Sequence, residues 1–307
     1  MNGFKPVSIE DQDYLEPILQ GYQSASSEYT FTYIYMWRHD YGFSFAVHNH
    51  YLVIVSESGY DIPFALCPIP LDSVYEQDSF SETVQWLLSM FKAEDMTLVF
   101  GRVHQPLLQW FQSVPDISFL IEPSDKTSDY VYTVENMINL AGKKLSSKRN
   151  HISQFVRNYP DYEVVVMCRE HIAECRRIMK EWCEARDCTC TSPEGCERYA
   201  FNQLADSWEL LHVNGILLKI NGRFEGFTVG EKLNETTVVV RYEKGNIDIH
   251  GIYAILNRDY LKYYWSTMIY VNREEDMGID GLRKAKESYQ PCFMNTKNTI
   301  THINGFI

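Results

Sequence analysis

The chain has 307 residues, and its 41 acidic and 28 basic side chains give a formal net charge of −13. This length suits two domains of about 150 residues each, and a hydrophobic content of 45% is enough for two cores and excludes wholesale disorder. The acidic balance excludes nucleic-acid binding by bulk charge attraction and leaves only local basic patches for phosphate contacts.

The N-terminal segment MNGFKPVSIEDQDYLEP has no charged region followed by an apolar one, so it predicts no signal peptide. The longest apolar runs, 43–47 and 51–55, are strand-sized and fall short of the roughly 18–20 residues that span a bilayer. Eight cysteines in such a chain are typical of reduced thiols. We therefore expect a cytoplasmic protein without a transmembrane segment.

The first half of the chain alternates strands and helices after an opening hairpin. A helix at 11–21 and an aromatic-rich, core-packing helix around Tyr33, Trp37 and Tyr41 come first. The later predicted elements are the hairpin FSFAVHN–HYLVIVSE, the strand IPFALCPI, the helix SFSETVQWLLSMFKAED, the strand MTLVFGRV, the helix HQPLLQWFQS and the strand ISFLIEP. This pattern predicts an N-terminal domain at 1–125.

A basic segment and a cysteine cluster follow the polar linker 123–129. The segment KKLSSKRNHISQFVRNYP has an apolar seam at helical spacing and predicts an exposed basic helix. A strand and a second helix lead to Cys183, Cys188, Cys190 and Cys196. Their spacing lacks the paired C-x2-C pattern of common structural zinc sites, so we favour a helix position and loop thiols and predict no metal site.

The second half begins with a three-stranded meander. GILLKI, RFEGFTVGEKL and TTVVVRYE predict successive strands, with Asn221-Gly222 at the first turn. The helix IYAILNRDYLKYY, the strand MIYVN, a helix within EDMGIDGLRKAKESY and the closing strand CFMNTKNTITHI follow. The order β-β-β-α-β-α-β resembles the second part of the GNAT acyltransferase fold, which implies a C-terminal domain at 130–307.

In the GNAT fold a central strand splays from its neighbour, and the N-terminus of the next helix can receive the pyrophosphate of a carrier. Here the corresponding loop has only Gly245 and Gly251, with the bulky Ile247 and Ile249 between them. Two interpretations therefore stay open, a ligand loop and a plain strand-to-helix connection.

The segments EKG, YVNREEDMG and GLRKAKESYQP within 241–291 resemble a bacterial family related to the C-terminal domain of phosphatidylglycerol lysyltransferase. KRNHISQF and FTYIYMWR resemble it too, so the resemblance covers most of the chain. It implies a mixed α/β chain of two GNAT-like acyltransferase domains in tandem. Fem-type peptidoglycan aminoacyltransferases share this fold and move an amino acid from aminoacyl-tRNA to an amine or hydroxyl. We expect no membrane-spanning portion, so a lipid acceptor is not implied.

Acyl transfer to an amine needs a deprotonated nucleophile, an oxyanion donor and a proton path to the leaving group. A carboxylate at the end of the third meander strand can accept the proton of the nucleophile. Tyrosines at helix ends can donate a proton to the leaving group. The NREED turn either forms a capped loop with an ion pair or binds an aminoacyl ammonium. The predicted catalytic residues are Glu243, Tyr253, Glu274, Asp276 and Tyr289, and the predicted substrate-binding residues are Asn272 and Arg273.

Basic side chains on the basic helix and near the C-terminus are candidates for holding the phosphates of coenzyme A or tRNA, although solvated surface charge is the alternative. They are Lys144, Lys148, Arg149, Arg283, Lys284, Lys286 and Lys297.

These observations favour a GNAT-like acyl- or aminoacyltransferase that moves an acyl group from aminoacyl-tRNA or an acyl-CoA to a small-molecule or peptide amine or hydroxyl. The alternatives are a binding module that keeps the fold without binding a carrier, and a coenzyme A acetyltransferase with a divergent loop. The transferase interpretation requires Glu243, the turn 272–276 and the cations of 283–297 to converge on one open cleft.

Overall fold

The computed structural model describes residues 1–57, 62–186 and 196–303, so Cys188 and Cys190 of the cysteine cluster lie outside the described residues. Within these residues the chain forms two compact units. The first contains 1–128, 196–203 and 295–303, and the second contains 129–186 and 204–294.

The elements before residue 129 are short strands and helices. They are β1 Lys5–Pro6, α1 Gln12–Tyr22, α2 Phe31–Met36, α3 Arg38–Tyr41, β2 Phe43–His48, β3 Tyr51–Ser56, β4 Phe64–Ala65, β5 Ile69–Pro70, α4 Gln77–Ala93, β6 Val99–His104, α5 Leu108–Gln112 and β7 Ser118–Pro123.

The elements from residue 129 onward include the predicted meander and the two helices that follow it. They are β8 Asp129–Thr133, α6 Val134–Asn139, α7 Ser146–Asn158, β9 Glu163–Val166, α8 Ile172–Glu184, α9 Glu197–Asp206, β10 Asn214–Ile220, β11 Arg223–Lys232, β12 Thr237–Gly245, α10 Ile252–Tyr264, β13 Tyr270–Asn272, α11 Asp280–Glu287, β14 Phe293–Asn295 and β15 Lys297–Ile303.

The first unit is built on a mixed sheet. Its strand order in the described residues is β1-β2-β3-β4-β6-β15-β7, with β5 also paired to β3. All side chains of β3 are buried. Phe80, Val84, Leu87 and Phe91 of α4 recur at helical spacing and pack into the same core.

The second unit is built on a sheet with the order β14-β8-β13-β12-β11-β10-β9. Its neighbours β12 and β13 run parallel, whereas β9, β10, β11 and β12 form antiparallel pairs. Helices α6, α7 and α10 pack together, and α10 lies against β10, β11 and β12. Ile255, Leu256 and Tyr260 of α10 are fully buried in this core.

The closing segment is divided between the two sheets, whereas the sequence predicts domains at 1–125 and 130–307. It forms two strands rather than one, because β14 belongs to the second sheet while β15 pairs with both β6 and β7 of the first. Lys297, the first residue of β15, is fully buried and ion-paired with Glu28 in the first unit. The chain therefore returns to the first unit after completing the second.

In the described ranges 1–57, 62–186 and 196–303, every helix falls short of the length and apolar character that crossing a bilayer requires.

Candidate active site

The second sheet opens where β12 and β13 part. Their parallel pairing joins 237–239 to 270–272, whereas β12 continues to Gly245. The pairing of β12 with β11 skips Arg241, which forms a β-bulge. Since side chains alternate between the two faces of a strand, the extra residue reverses the alternation beyond it. Val240 before the bulge and Glu243 after it therefore both face α10.

An ion pair lies at this opening. Arg273, the residue after β13, donates from Nη2 to Oε1 of Glu243 over 2.9 Å. Asn257 of α10 donates from Nδ2 to the other oxygen, Oε2, over 3.2 Å. The side chains of Arg273 and Glu243 are only 14% and 9% exposed, so their attraction is little weakened by water.

Tyr289 and Lys148 complete the group. The guanidinium carbon of Arg273 lies 5.1 Å from the centre of the Tyr289 ring, and Lys148 Nζ lies 4.2 Å from it. Burial raises the pKa of Tyr289 to about 12, so its hydroxyl is protonated at neutral pH. In the described part of the chain this hydroxyl has no hydrogen-bond partner. The side chain thus offers an uncommitted proton donor beside two cations.

Lys148 is half-buried on α7. Burial lowers its pKa, and the nearby charge of Arg273 lowers it further, whereas Glu243 opposes the change. Within the described residues Lys148 has no carboxylate at ion-pair distance. Lys148, Glu243, Arg273 and Tyr289, which we call the Arg273 cluster, thus carry two positive charges and one negative charge. Such a cluster attracts a group on which negative charge develops.

The turn that follows β13 holds Arg273 in place. Lys286 Nζ donates to the carbonyl oxygens of Arg273 and Glu274 over 2.6 and 3.0 Å. The backbone N–H of Glu274 donates to Asn272 Oδ1 over 2.8 Å, and its carboxylate accepts from the buried Arg241 over 2.6 Å. Asn272, Glu274 and Lys286, predicted to contact substrate or carrier, are therefore engaged in supporting the turn.

Asp276 and Arg283 form a second supporting contact. Arg283 Nε and the Tyr130 hydroxyl each donate to Asp276 Oδ2 over 2.7 Å, and the Gly278 N–H donates to Oδ1 over 2.8 Å. Although burial opposes the change, the hydrogen bonds from Arg283 and Tyr130 lower the pKa of Asp276. The carboxylate is engaged by these three contacts, and its catalytic role stays a prediction.

The remaining predicted carrier-binding cations differ in their surroundings. Arg149 donates to the carbonyl oxygens of Leu140 and Gly142, the latter over 2.7 Å, at the end of α6. Lys144 and Lys284 are exposed. Two side chains of this group therefore remain available to a phosphate in solvent, in addition to the half-buried Lys148.

Two further predicted residues are engaged elsewhere. Lys297 Nζ binds both carboxylate oxygens of Glu28, at 2.6 and 2.8 Å, in the core of the first unit. Burial and this ion pair hold it inside the first unit, so the expected convergence of the cations of 283–297 with Glu243 fails at Lys297. The Tyr253 hydroxyl accepts from Trp182 Nε1 over 2.8 Å and donates to the Gly245 carbonyl over 3.2 Å, which leaves it no free proton.

Asn257 is a residue of the candidate site that the sequence prediction missed. Its signal was a polar side chain in the apolar run IYAILNRDYLKYY, and in the structure it is 1% exposed. A buried polar side chain needs a hydrogen-bond partner. The position of Asn257 in an apolar helix therefore indicates a buried hydrogen bond, which the structure shows to be with Glu243.

The N-terminus of α10 differs from a pyrophosphate site. A side chain at Gly251, the residue before the helix, would lie 2.6 Å from the carbonyl oxygen of His151 on α7. The preceding loop exposes Ile247 and the acidic Asp248. These two residues line a cavity of about 210 Å³ together with Glu181, Trp182 and Glu225, among others. A carbonyl oxygen and carboxylates near this helix end disfavour a polyphosphate.

The meander, the bulge at the strand opening and the two following helices define the class: the chain has the fold of two GNAT-like acyltransferase domains in tandem. The family model for the C-terminal domain of phosphatidylglycerol lysyltransferase matches residues 19–297. The chain belongs to this family.

Three solved structures are similar over nearly the whole chain. A conserved protein from Bacteroides thetaiotaomicron VPI-5482 has 29% identity and a TM-score of 0.88, covering 99% of this chain and 100% of that chain. L-PGS from Bacillus licheniformis has 14% identity and a TM-score of 0.69, covering 100% and 95%. FemX has 9% identity and a TM-score of 0.65, covering 97% and 96%.

A curated relative, "Uncharacterized protein MYCGA3080" of Mycoplasmoides gallisepticum (strain R(low / passage 15 / clone 2)), is 24% identical over 188 residues. The match spans 61% of this chain and 59% of the relative's length. Family and fold together support an aminoacyl- or acyltransferase type of function.

Proposed function

We propose that this protein transfers an aminoacyl group from aminoacyl-tRNA to an amine or hydroxyl, at the Arg273 cluster. The observation that carries the proposal is the Arg273–Glu243 ion pair at the strand opening, with the free Tyr289 hydroxyl and Lys148 beside it. The family match supports the same chemistry, because lysyl transfer is an aminoacyl transfer.

In this reaction the acceptor nitrogen or oxygen attacks the carbonyl carbon of the aminoacyl ester. A new C–N or C–O bond forms, and the bond from that carbon to the ribose oxygen of the tRNA breaks. Lys148 and Arg273 stabilise the oxyanion that develops in between. Tyr289 donates its proton to the departing ribose oxygen and recovers one from the acceptor, directly or through solvent. Glu243 keeps Arg273 aligned.

The choice of aminoacyl-tRNA over acyl-CoA follows from the surroundings of α10. The His151 carbonyl lies close to Gly251, and the carboxylates of Glu181, Glu225 and Asp248 line the cavity at this helix end, which disfavours a coenzyme A pyrophosphate there. The phosphates of a tRNA are spread over a wider surface than those of coenzyme A, so tRNA depends less on phosphate contacts at the N-terminus of α10. Lys144 and Lys284, both exposed on the second unit, are suited to that surface.

The acceptor is a small-molecule or peptide amine or hydroxyl, and the reaction takes place in the cytoplasm, where charged tRNA is found. The second candidate is a binding module without catalysis. The bulky Ile247 in the loop before α10 favours it, because this loop resembles a plain connection more than a ligand loop.

The test combines binding with transfer. [14C]lysyl-tRNA, uncharged tRNA and acetyl-CoA are each added to the protein, and the melting temperature is recorded, since a ligand that binds the folded state raises it. We expect a rise with lysyl-tRNA and none with acetyl-CoA. Label from [14C]lysyl-tRNA is then followed onto phosphatidylglycerol micelles and onto a panel of amine-bearing peptides.

Tyr289→Phe supplies the variant for this assay, because it removes only the proton donor. We expect transfer to slow by roughly a hundredfold, with an unchanged rise in melting temperature. Tyr264→Phe, at the C-terminal end of α10, is the matched control and keeps full activity. Stabilisation by acetyl-CoA alone contradicts the proposal, and stabilisation by lysyl-tRNA without transfer to any acceptor supports the binding module.

A further inference from the structure

Two buried polar atoms near Glu243 are not used by the mechanism above. They are the hydroxyl of Thr228 on β11 and the side-chain carbonyl of Asn257 on α10. Thr228 is 0% exposed and Asn257 is 1% exposed. Among the residues that the structure describes, neither atom has a hydrogen-bond partner.

The sheet register places Thr228 beside Glu243, on the face of the sheet toward α10. Thr228 lies directly opposite Glu243 in the β11–β12 pair. Its neighbours two residues away, Gly226 and Gly230, both face α10: a Cβ on the first would touch Leu256, and one on the second would touch the Tyr260 hydroxyl. Thr228, between them, therefore also faces α10.

Asn257 reaches the same place from the helix. It follows Leu256 directly and lies one turn before Tyr260, and its Nδ2 group donates to Glu243. Thr228 and Asn257 thus approach Glu243 from the two elements that enclose it. The Thr228 hydroxyl supplies a donor and the Asn257 Oδ1 an acceptor, so the two atoms are complementary.

An unpaired buried donor and an unpaired buried acceptor would each destabilise the fold, whereas one link between them satisfies both. A water molecule that accepts from the Thr228 hydroxyl and donates to Asn257 Oδ1 also polarises the amide and strengthens the bond from Nδ2 to Glu243. The chain of contacts then runs from the sheet through the helix to Glu243 and Arg273.

We propose that Thr228 and Asn257 are positioning residues, linked to each other through one bridging water molecule, and that they align Arg273 through Glu243. The catalytic part of this inference rests on the proposed function, whereas the link between the two side chains does not.

A double-mutant cycle tests the link without any activity assay. Thr228→Val keeps the shape of the side chain and removes the hydroxyl, and Asn257→Leu removes the amide. We expect each variant to lower the melting temperature, and the double variant to lower it by clearly less than the sum, because the two groups lose the same link. Additive losses, or a higher melting temperature for Thr228→Val, would overturn the link.

Transfer kinetics test the positioning role. We expect Thr228→Val to lower kcat by roughly ten- to a hundredfold with KM for lysyl-tRNA unchanged, since misplacement of a reacting group acts on the chemical step. Thr228→Ser restores the hydroxyl and should recover kcat. Thr237→Val, on β12 at the end away from the opening, is the control with full activity.

The outcomes separate the two proposals. If the wild-type protein shows no transfer, the proposed function is contradicted. The double-mutant cycle of melting temperatures still tests the link between Thr228 and Asn257 in that case. Active wild type with an equally active Thr228→Val contradicts the positioning role alone. The 15N signals of the Arg273 guanidinium give a second readout: we expect them to broaden in Thr228→Val and not in Thr228→Ser, whereas unchanged signals contradict the alignment of Arg273.

Discussion

At the residue scale, the candidate site consists of a few side chains whose charges do not balance. Arg273 is paired with the carboxylate of Glu243, whereas Lys148 has no carboxylate at ion-pair distance in the described residues, and both cations lie beside the Tyr289 ring, whose hydroxyl is free. The surplus positive charge is half-buried, so it acts on a developing oxyanion more strongly than an exposed lysine would. The protonation state of Lys148 should therefore control the reaction.

The first prediction concerns the pH dependence of transfer. Burial, assisted by Arg273, lowers the pKa of Lys148. A lysine is charged below its pKa and neutral above it, so transfer should fall in the alkaline range, beginning at a pH below the ordinary lysine value. Lys148→Arg should keep transfer high to a more alkaline pH, because a guanidinium stays charged. The measurement is kcat from pH 6 to 10.

Lys148→Met should be slow at every pH in that range, and Lys262→Met, an exposed position on α10, is the control. Alkaline limbs that coincide for the wild type and Lys148→Arg would show that another group titrates.

At the scale of elements, two local irregularities position the site. The bulge at Arg241 turns Glu243 toward α10, and the positive φ of Gly251 lets α10 begin directly beneath α7. Because α7 carries Lys148, the close approach of His151 to Gly251 also determines where that cation lies. The spacing of two helices thus decides the composition of the Arg273 cluster.

The second prediction follows from this approach. Gly251→Ala should destabilise the protein by about 2–4 kcal/mol, because it adds left-handed strain of about 1–2 kcal/mol and forces α7 away. The displacement of Lys148 should slow transfer as well. Urea unfolding and transfer rates measure the two effects.

Gly222→Ala is the matched control for this strain. Gly222 has a φ of +83°, close to the +86° of Gly251, yet no atom lies within 4 Å of an added Cβ. It should lose only the strain, with transfer unchanged. Equal decreases in unfolding free energy for the two variants would mean that the contact between α7 and α10 does not contribute to stability.

At the scale of the whole molecule, the chain builds the second unit and then returns to the first. The last described strand, β15, lies between β6 and β7, so the sheet of the first unit is complete only when the C-terminal segment has been added. The ion pair of Lys297 with Glu28 marks this return, and Arg102 lies 3.4 Å from the same carboxylate.

The third prediction concerns this buried ion pair. Lys297→Met leaves the Glu28 carboxylate buried with less compensating charge, so unfolding free energy should fall by about 3–5 kcal/mol. The double variant Glu28→Gln, Lys297→Met should be more stable than Lys297→Met alone, because it removes the stranded charge. Urea unfolding measures both.

Lys180→Met is the control for an exposed ion pair. Lys180 lies 3.7 Å from Glu184 with both side chains 65% exposed, so its loss should cost less than about 1 kcal/mol. A loss of similar size for Lys297→Met would contradict the weight that we give to the buried pair.

The sequence alone was sufficient for the class of fold and the family. Local periodicity indicated the meander and the helices after it, because strands and helices bury every second residue or every third to fourth. The chain order of these elements and short segments such as YVNREEDMG then predicted tandem GNAT-like domains and the family, and the comparisons confirmed both.

Tertiary structure decided which of the polar side chains come together in the candidate site. Glu243, Arg273, Tyr289 and Lys148 come together, whereas Asp276 and Lys286, equally polar in the sequence, bind other parts of the protein. Local sequence does not reveal which partner a charge will find, because ion pairs and hydrogen bonds join residues far apart in the chain. The same reason explains the closing segment: its alternation predicts a strand, but only packing against β6 and β7 decides to which sheet that strand belongs.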